Sequence, residues 1–293
     1  MPTLVRPAGG LAGLLAVEVE YRAHKLIFST DTTARMELLS SGSAAALLLT
    51  PPFGTPVPLP PEGVARLVVE TELPFGRREV VRLLLDPRTG GALQSDKVGG
   101  SGGRVRTVSR YMSDGVYMWH WRPANRAEAA LTPESWTARD EQFSRYPDGL
   151  PKEAVVTEGY ALLPLAEAAR LDRSATGLRL YVFSHELLLA LDFVGEGIET
   201  RSLDVDEESP SGRHLRSGAR LVRMVRVSAR AVGDGAAPPP DELRVLGFLG
   251  AVTLSLDTGT GVPVAMTGRA AVIGNLTARL VRVRYAAGPP RVE

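Results

Sequence analysis

Three large aromatic side chains, Tyr117, Trp119 and Trp121, alternate along GVYMWHWR. Alternation along an extended chain puts all three rings on one face. Rings gathered in this way either pack a core or wall an apolar cavity, and the concave side of a curved sheet is a common place for such a cavity. Both readings stay open, and Tyr117, Trp119 and Trp121 are candidate ligand-binding residues. Arg223 is the fourth candidate. It sits in ARLVRMVRVSAR, residues 219 to 230, where it breaks the alternation of apolar and charged positions. It points either outward through a bulge or inward toward whatever the sheet encloses.

The remaining reactive residues do not assemble. The histidines are His24, His120, His185 and His214, and no two have metal-ligand spacing. His120 alternates with Trp119 and Trp121 and is read as a solvated sheet residue. VFSHELLL sets Ser184, His185 and Glu186 side by side, but strand neighbours point to opposite faces and no G-x-S-x-G elbow is present. LDVDEESPSG, with Asp204, Asp206, Glu207 and Glu208, lacks EF-hand spacing and reads as a solvated turn. GGSGGR lacks the Gly-Lys-Ser/Thr ending of a phosphate loop. The chain has no cysteine, which excludes disulfides and thiolate sites. No catalytic residue, metal ligand or cofactor is therefore assigned.

The elements that would position these residues are mostly strands. Val17, Val19 and Tyr21 alternate with Glu18, Glu20 and Arg22. A turn is expected at Ser29–Asp31, then a second extended segment, ARMELLSSGSAAALLL, closed by the proline-rich TPPFGTPVPLPPEG. VARLVVETEL and RREVVRLLLD form a hairpin, and GGALQSDKVGGSGGR has the glycine density of a loop. RVRTVSRYM and GVYMWHWR form a third hairpin, turned at Ser113-Asp114-Gly115. RPANRAEAALTPESW is a polar connection with a helical turn in its middle. EGYALLPLAEAARLD places Leu162, Leu165, Ala166, Ala169 and Leu171 on one side and predicts the main helix. GLRLYVFSHELLLALDFVG and GIETRSLDVD pair across a turn at Gly195–Gly197. RVLGFLG is a short apolar link, and three strands close the chain.

In ARLVRMVRVSAR the arginines fall three or four apart, as on a charged helix. Three valines oppose a helix, and TARLVRVRYA at residues 277 to 286 has nearly the same wording with strand alternation. The stretch is read as a strand with Leu221, Val225, Val227 and Ala229 on one face. Strands joined by short turns pair antiparallel, and a sheet of about ten or more twisted strands curls on itself. The predicted fold is mainly β: a large curved antiparallel sheet or incompletely closed β-barrel, with one main helix packed in or against it. Residues 17–287 form a single domain between a 1–16 tail and a 288–293 tail.

Composition narrows the function classes. The formal net charge of +1 gives no overall field toward nucleic acid, and none is expected as a partner. Of 34 basic residues only Lys25, Lys97 and Lys152 are lysines, which reflects a GC-rich genome more than function. No apolar run reaches the ~18–20 residues of a membrane helix. Arg6 and the apolar stretch Gly9–Val17, with Ala16 as a cleavage point, form a short signal-like segment. If it is real, the chain resides in the periplasm or cell envelope; if it is not, in the cytoplasm.

DGVYMWHWRPANRAEAALTPESWT resembles a pattern of a family of uncharacterised bacterial cell-envelope proteins, a domain of unknown function. RLYVFSHELLLALDFVG and LGFLGAVTLSLDTGTGVPVAMTGRAAVIGNLTARL are similar to further strands of that family. The matching positions include Asp114, Gly115, Pro123, Glu128, Pro133, Trp136, Phe183, Gly250, Asp257, Pro263, Gly268, Gly274 and Leu280. The resemblance implies a β-barrel with helical filling, similar to periplasmic lipoprotein carriers, and supplies no catalytic residues. The leading expectation is a non-enzymatic envelope protein that binds a lipid or other apolar small molecule on its concave face. The competing ones are a scaffold that meets an envelope protein partner and, third, a hydrolase using Ser184 or a histidine.

Overall fold

The computed structural model describes residues 3–4, 10–14, 16–25, 28–73, 77–99, 104–169, 178–184, 186–233, 239, 243–270 and 274–286. These form one seventeen-stranded sheet. The first strands are β1 (Thr3–Leu4), β2 (Ala16–Lys25), β3 (Phe28–Leu39), β4 (Val64–Leu73), β5 (Arg77–Leu85) and β6 (Ala92–Val98). Next come β7 (Arg106–Tyr111), β8 (Gly115–Arg122), β9 (Ala138–Arg145), β10 (Val156–Thr157) and β11 (Leu178–Ser184). The last are β12 (Leu187–Ser209), β13 (Gly212–Ala231), β14 (Arg244–Val245), β15 (Phe248–Asp257), β16 (Pro263–Ala270) and β17 (Gly274–Tyr285). From β2 to β9 every strand pairs antiparallel with the next, and β17 joins that meander to the rest through β2.

The fold class matches the expectation, and the sheet curls without closing into a regular barrel. Part of it does close. β12 pairs with β13, β13 with β15, β15 with β16 and β16 with β17. Then β17 returns to the far end of β12 in parallel, Asp206–Glu208 against Arg282–Arg284. The opposite margin, β9, meets the β11–β12 turn through side chains: Gln142 donates to Glu186 Oε2 at 3.2 Å.

The interior is filled by alternate strand residues and by the helix α2 (Leu162–Ala168). Leu162, Leu163, Pro164, Leu165, Ala166 and Glu167 are all buried. Such an all-round buried helix packs inside a sheet rather than on its surface. The carboxylate of Glu167 accepts the Ala16 N–H at 3.2 Å. Leu11 and Leu14 lie in the same core, so this part of the expected N-terminal tail is packed. Outside the sheet, the short helix α1 (Ser41–Ala45) and the loop after it cover the outer faces of β5 to β8. There Ala44, Val64, Leu84 and Leu93 form a second, smaller core.

Several expected boundaries are corrected. Ser29–Asp31 lies inside β3, which pairs antiparallel with β2, and residues 26–27 are outside the described set. The segment read as extended after Leu39 begins instead with α1, capped by Ser40, whose hydroxyl accepts the Ser43 N–H at 3.1 Å. The glycine-rich loop contains strand β6; its flanking glycines hid seven ladder residues. β9 was not expected, because its sequence ARDEQFSR is charged on both faces, as suits an exposed edge. GLRLYVFSHELLLALDFVG is a hairpin rather than one strand. Its halves, β11 and β12, pair antiparallel, and Glu186, just before β12, has φ 65°. Gly195–Gly197 is a register shift inside the 23-residue β12 rather than a turn. RVLGFLG is a tight hairpin whose turn residues Leu246 and Gly247 both have positive φ. At the predicted turn Ser113-Asp114-Gly115 the glycine has another purpose than positive φ. A Cβ at Gly115 would lie 2.4 Å from the Ser144 carbonyl oxygen of β9. Leu171 lies outside the described residues.

Candidate functional site

β8 is buried on both faces, from Val116 to Trp119. Val116 and Met118 face the interior core, and Tyr117 and Trp119 face outward with Val108. The aromatic row is thus on the convex side. Phe53 and Leu49 of the outer loop cover it, and Phe143 of β9 flanks it. Phe53 meets Tyr117 and Phe143 edge-on at 5.2 and 5.3 Å between centroids, and Tyr117 lies 4.7 Å from Trp119. The Tyr117 hydroxyl donates to Glu141, which raises the phenol pKa and lowers that of the carboxyl. Trp121, half-buried, lies between the guanidinium groups of Arg106 and Arg139, 5.3 and 5.7 Å from its ring. The three rings do share a face, as their spacing predicts, but that face lines neither interior cavity.

Arg223 is in β13, opposite Ile198 and Leu256, and half-buried. It lines none of the cavities and has no ion pair among the described residues. The register shift at Gly195–Gly197 lies beside it, across from Met224 and Val225. Val222 and Val225, three apart, are both buried, while Leu221, expected inside, is 57 % exposed. The acidic run belongs to the end of β12 rather than to a turn, and arginines neutralise it. Asp206 pairs with Arg213 at 2.8 Å, Glu207 with Arg220 at 2.7 Å, and Glu208 with Arg282. Among the described residues no group of His, Asp and Glu is placed to hold a metal ion.

One hollow of the molecule is at the end where β2 and β4 finish and β3, β5 and β17 begin. A cavity of about 450 Å³ opens there. Its apolar wall comes from Ala23, Leu163, Phe248, Met266, Leu276 and Ala278, with Leu163 of α2 among them. Thr32 and Thr71, bonded to each other at 3.2 Å, add hydroxyls. A neighbouring cavity of about 230 Å³ lies against β6, β7 and β8 and shares Lys97, Gly99, Glu158 and Ser184 with the first. Met118 and His120, the inner face of β8, line it. A third hollow, about 530 Å³, lies at the other end; Val57, Leu93, Met112, Leu150 and Val156 line it together with Asp86, Asp114, Arg145, Asp148 and Lys152, a more charged lining than that of the first.

At the junction of the first two cavities sits a charged group that sequence reasoning missed. Lys97 Nζ lies 3.3 Å from Glu79. The Tyr160 hydroxyl donates to Glu79 at 2.9 Å, and the Tyr160 N–H donates to Glu158 at 2.7 Å. Glu158 caps the 3₁₀ turn Gly159–Ala161 that leads into α2, so the helix inside the sheet fixes its carboxyl in the cavity wall. Burial away from water pushes the Glu158 carboxyl up to about 7, against the lowering effect of the Tyr160 N–H. Burial, reinforced by Glu79 and Glu158, raises the Tyr160 phenol well above its ordinary value. The signal that could have found this site was Lys97, one of three lysines, on the inward side of an unrecognised strand.

Ser184 lines both cavities and is half-buried, whereas His185 lies outside the described residues. His120 Nδ1 is 3.0 Å from Thr107 Oγ1. Among the described residues no histidine is bonded to Ser184, so the geometry gives no support to a hydrolytic triad.

The pairings and the buried helix define the chain as a mainly β, barrel-like protein with an interior hollow at one end. No family model matches the chain. No curated protein matches it either. One solved structure to which it is similar is a β-barrel-like protein of the domain of unknown function DUF1849 from Brucella abortus. That alignment covers 97 % of this chain and 98 % of the other, at 10 % identity and a TM-score of 0.42. So distant a likeness carries no functional argument. No described helix is long and apolar enough to cross a membrane.

Proposed function

We propose that this chain is a non-enzymatic cell-envelope protein that holds a lipid or other apolar molecule inside its curved sheet. The observation that carries this reading is the cavity of about 450 Å³ with its apolar lining. Ligand pockets run to about 300–1,000 Å³ and combine an apolar wall with a few polar groups, which is the mixture found here. The guest sits on the concave side, between α2 and β2, β3, β16 and β17. The aromatic row Tyr117, Trp119 and Trp121 has no part in holding it, and neither does Arg223. The test is displacement of a solvatochromic dye from the purified protein, together with extraction and mass spectrometry of anything that co-purifies. Absence of both dye binding and co-purifying lipid overturns the reading.

The envelope half of the proposal rests on the N-terminal segment and on the family resemblance. Leu11 and Leu14 are core residues, so cleavage at Ala16 would strip the fold of them. Cell fractionation and N-terminal sequencing of the mature protein decide it, and a cytoplasmic protein would end the claim. A second reading, a scaffold for an envelope protein partner, has its own observation. Val194, Ile198, Leu215 and Leu221 are large, apolar and exposed on the β12–β13 hairpin. Crosslinking in cells, lost on Leu215→Glu and Leu221→Glu, would favour it.

A further inference from the structure

The charged group at the cavity junction holds two carboxyls and one ammonium. Glu79 is satisfied by Lys97 and by the Tyr160 hydroxyl. Glu158, half-buried, accepts the Tyr160 and Gly159 N–H groups and feels the Lys97 ammonium from beyond ion-pair distance, but has no ion pair of its own among the described residues. One negative charge is therefore uncompensated in a wall shared by both cavities. A carboxylate partly withdrawn from water and left unpaired is costly, and a charge of opposite sign brought to it is favoured.

We propose that the cavity selects an amphiphile with a protonated amine head, seated against the Glu158 carboxylate at the junction of the two cavities. Its chain lies along Ala23, Met266, Leu276 and Ala278. The proposal rests on the reading of this cavity as an apolar-ligand site and adds the chemistry of the head. An anionic head would have to draw Lys97 away from Glu79 while facing Glu158. The charged and titratable groups around Glu158 are Glu79 on β5, Lys97 on β6, Tyr111 on β7 and Tyr160 on its own turn, with His120 on β8 and Glu186 lining the smaller cavity. Arg244 lines only the larger cavity and is exposed, so solvent screens it. Because burial pushes the Glu158 carboxyl up to about 7, the preference for an amine grows as pH rises through neutrality.

Dodecylamine, dodecanol and dodecanoic acid share one chain and differ in the head. Each is titrated against the purified full chain carrying a solvatochromic dye, at about pH 6 and pH 8, where the amine stays protonated. At pH 8 dodecylamine should displace the dye at an about tenfold lower concentration than the alcohol or the acid. The gap should narrow at pH 6. It should vanish in Glu158→Gln, whose amide oxygen still caps the Tyr160 N–H. Equal displacement by all three overturns the head-group claim and leaves the carrier reading standing. Survival of the amine preference in Glu158→Gln does the same. If none of the three displaces the dye or binds, both readings fall together.

Discussion

The two faces of β8 are both dry by area yet opposite in character. Outward, Tyr117 and Trp119 pack against Phe53, Leu49 and Phe143 with ring centroids about 5 Å apart. Inward, Met118 and His120 look into a hollow bounded by Lys97, Glu158 and Ser184. Burial alone therefore does not separate a packing surface from a binding surface. What separates them is what lies across: a loop whose rings fill the space on one side, and an unfilled gap with polar groups on the other.

The strongest way to break this comparison is to empty the outer cluster. Trp119→Ala removes a 3 %-exposed ring from a packed group and should cost about 3–5 kcal/mol in urea unfolding. Dye binding per folded molecule should be unchanged, because the ring lines no part of the cavity. A stable variant with lost binding would mean that the aromatic row holds the guest after all. The converse experiment fills the hollow. Ala278→Trp projects an indole into the larger cavity, where Ala278 is only half-buried, so it should abolish dye binding with a stability change below about 3 kcal/mol. A smaller effect is expected at the cover. Phe53 is 53 % exposed, and Phe53→Ser should cost about 1 kcal/mol, read by the same unfolding titration. A loss as large as that of Trp119→Ala would show that the loop holds the cluster together rather than capping it.

How much of this was legible follows from the kind of signal each residue gives. Asp114-Gly115 marked its hairpin, and VARLVVETEL and RREVVRLLLD marked theirs, because turn chemistry and alternation are local. The alternation of Tyr117, Trp119 and Trp121 correctly put the rings on one face. It could not say which face is concave, since β8 is apolar on both and the covering residues, Leu49 and Phe53, are more than sixty positions away. ARLVRMVRVSAR was read as a strand from its valines, but Leu221 fell on the wet side. The register shift nearby lies in β12, and its glycines imitate a turn. The cavity was the least legible part. Glu79, Lys97 and Glu158 are ordinary surface types in sequence. They become a site only because Glu158 caps a turn whose helix is drawn inside the sheet by Leu162, Leu163 and Leu165.

That capping carboxyl gives the finest test of the contrast between the two faces. Glu141, beside Tyr117 on the outer face, is exposed, and its pKa is lowered by the Tyr117 hydroxyl. Glu158, on the inner side, is desolvated and raised from 4.5 to about 7. Between those values the folded chain keeps the Glu158 proton and the unfolded chain has lost it. The folded state then binds more protons, so stability falls as pH rises. The contribution is fully present below 4.5 and gone once the pH has passed about 7. The lowered carboxyls Glu18, Glu128, Glu134, Glu141 and Asp206 act in the opposite sense and in more acid solution, so they do not cover this window. Thermal unfolding of wild type and Glu158→Gln, run from about pH 5 to pH 8, should show the variant gaining on the wild type as pH rises. Glu141→Gln should show no such gain over that range. A flat difference for Glu158→Gln would mean that water reaches its carboxyl as freely as it reaches Glu141, and the inner wall of β8 would then be no drier than the surface.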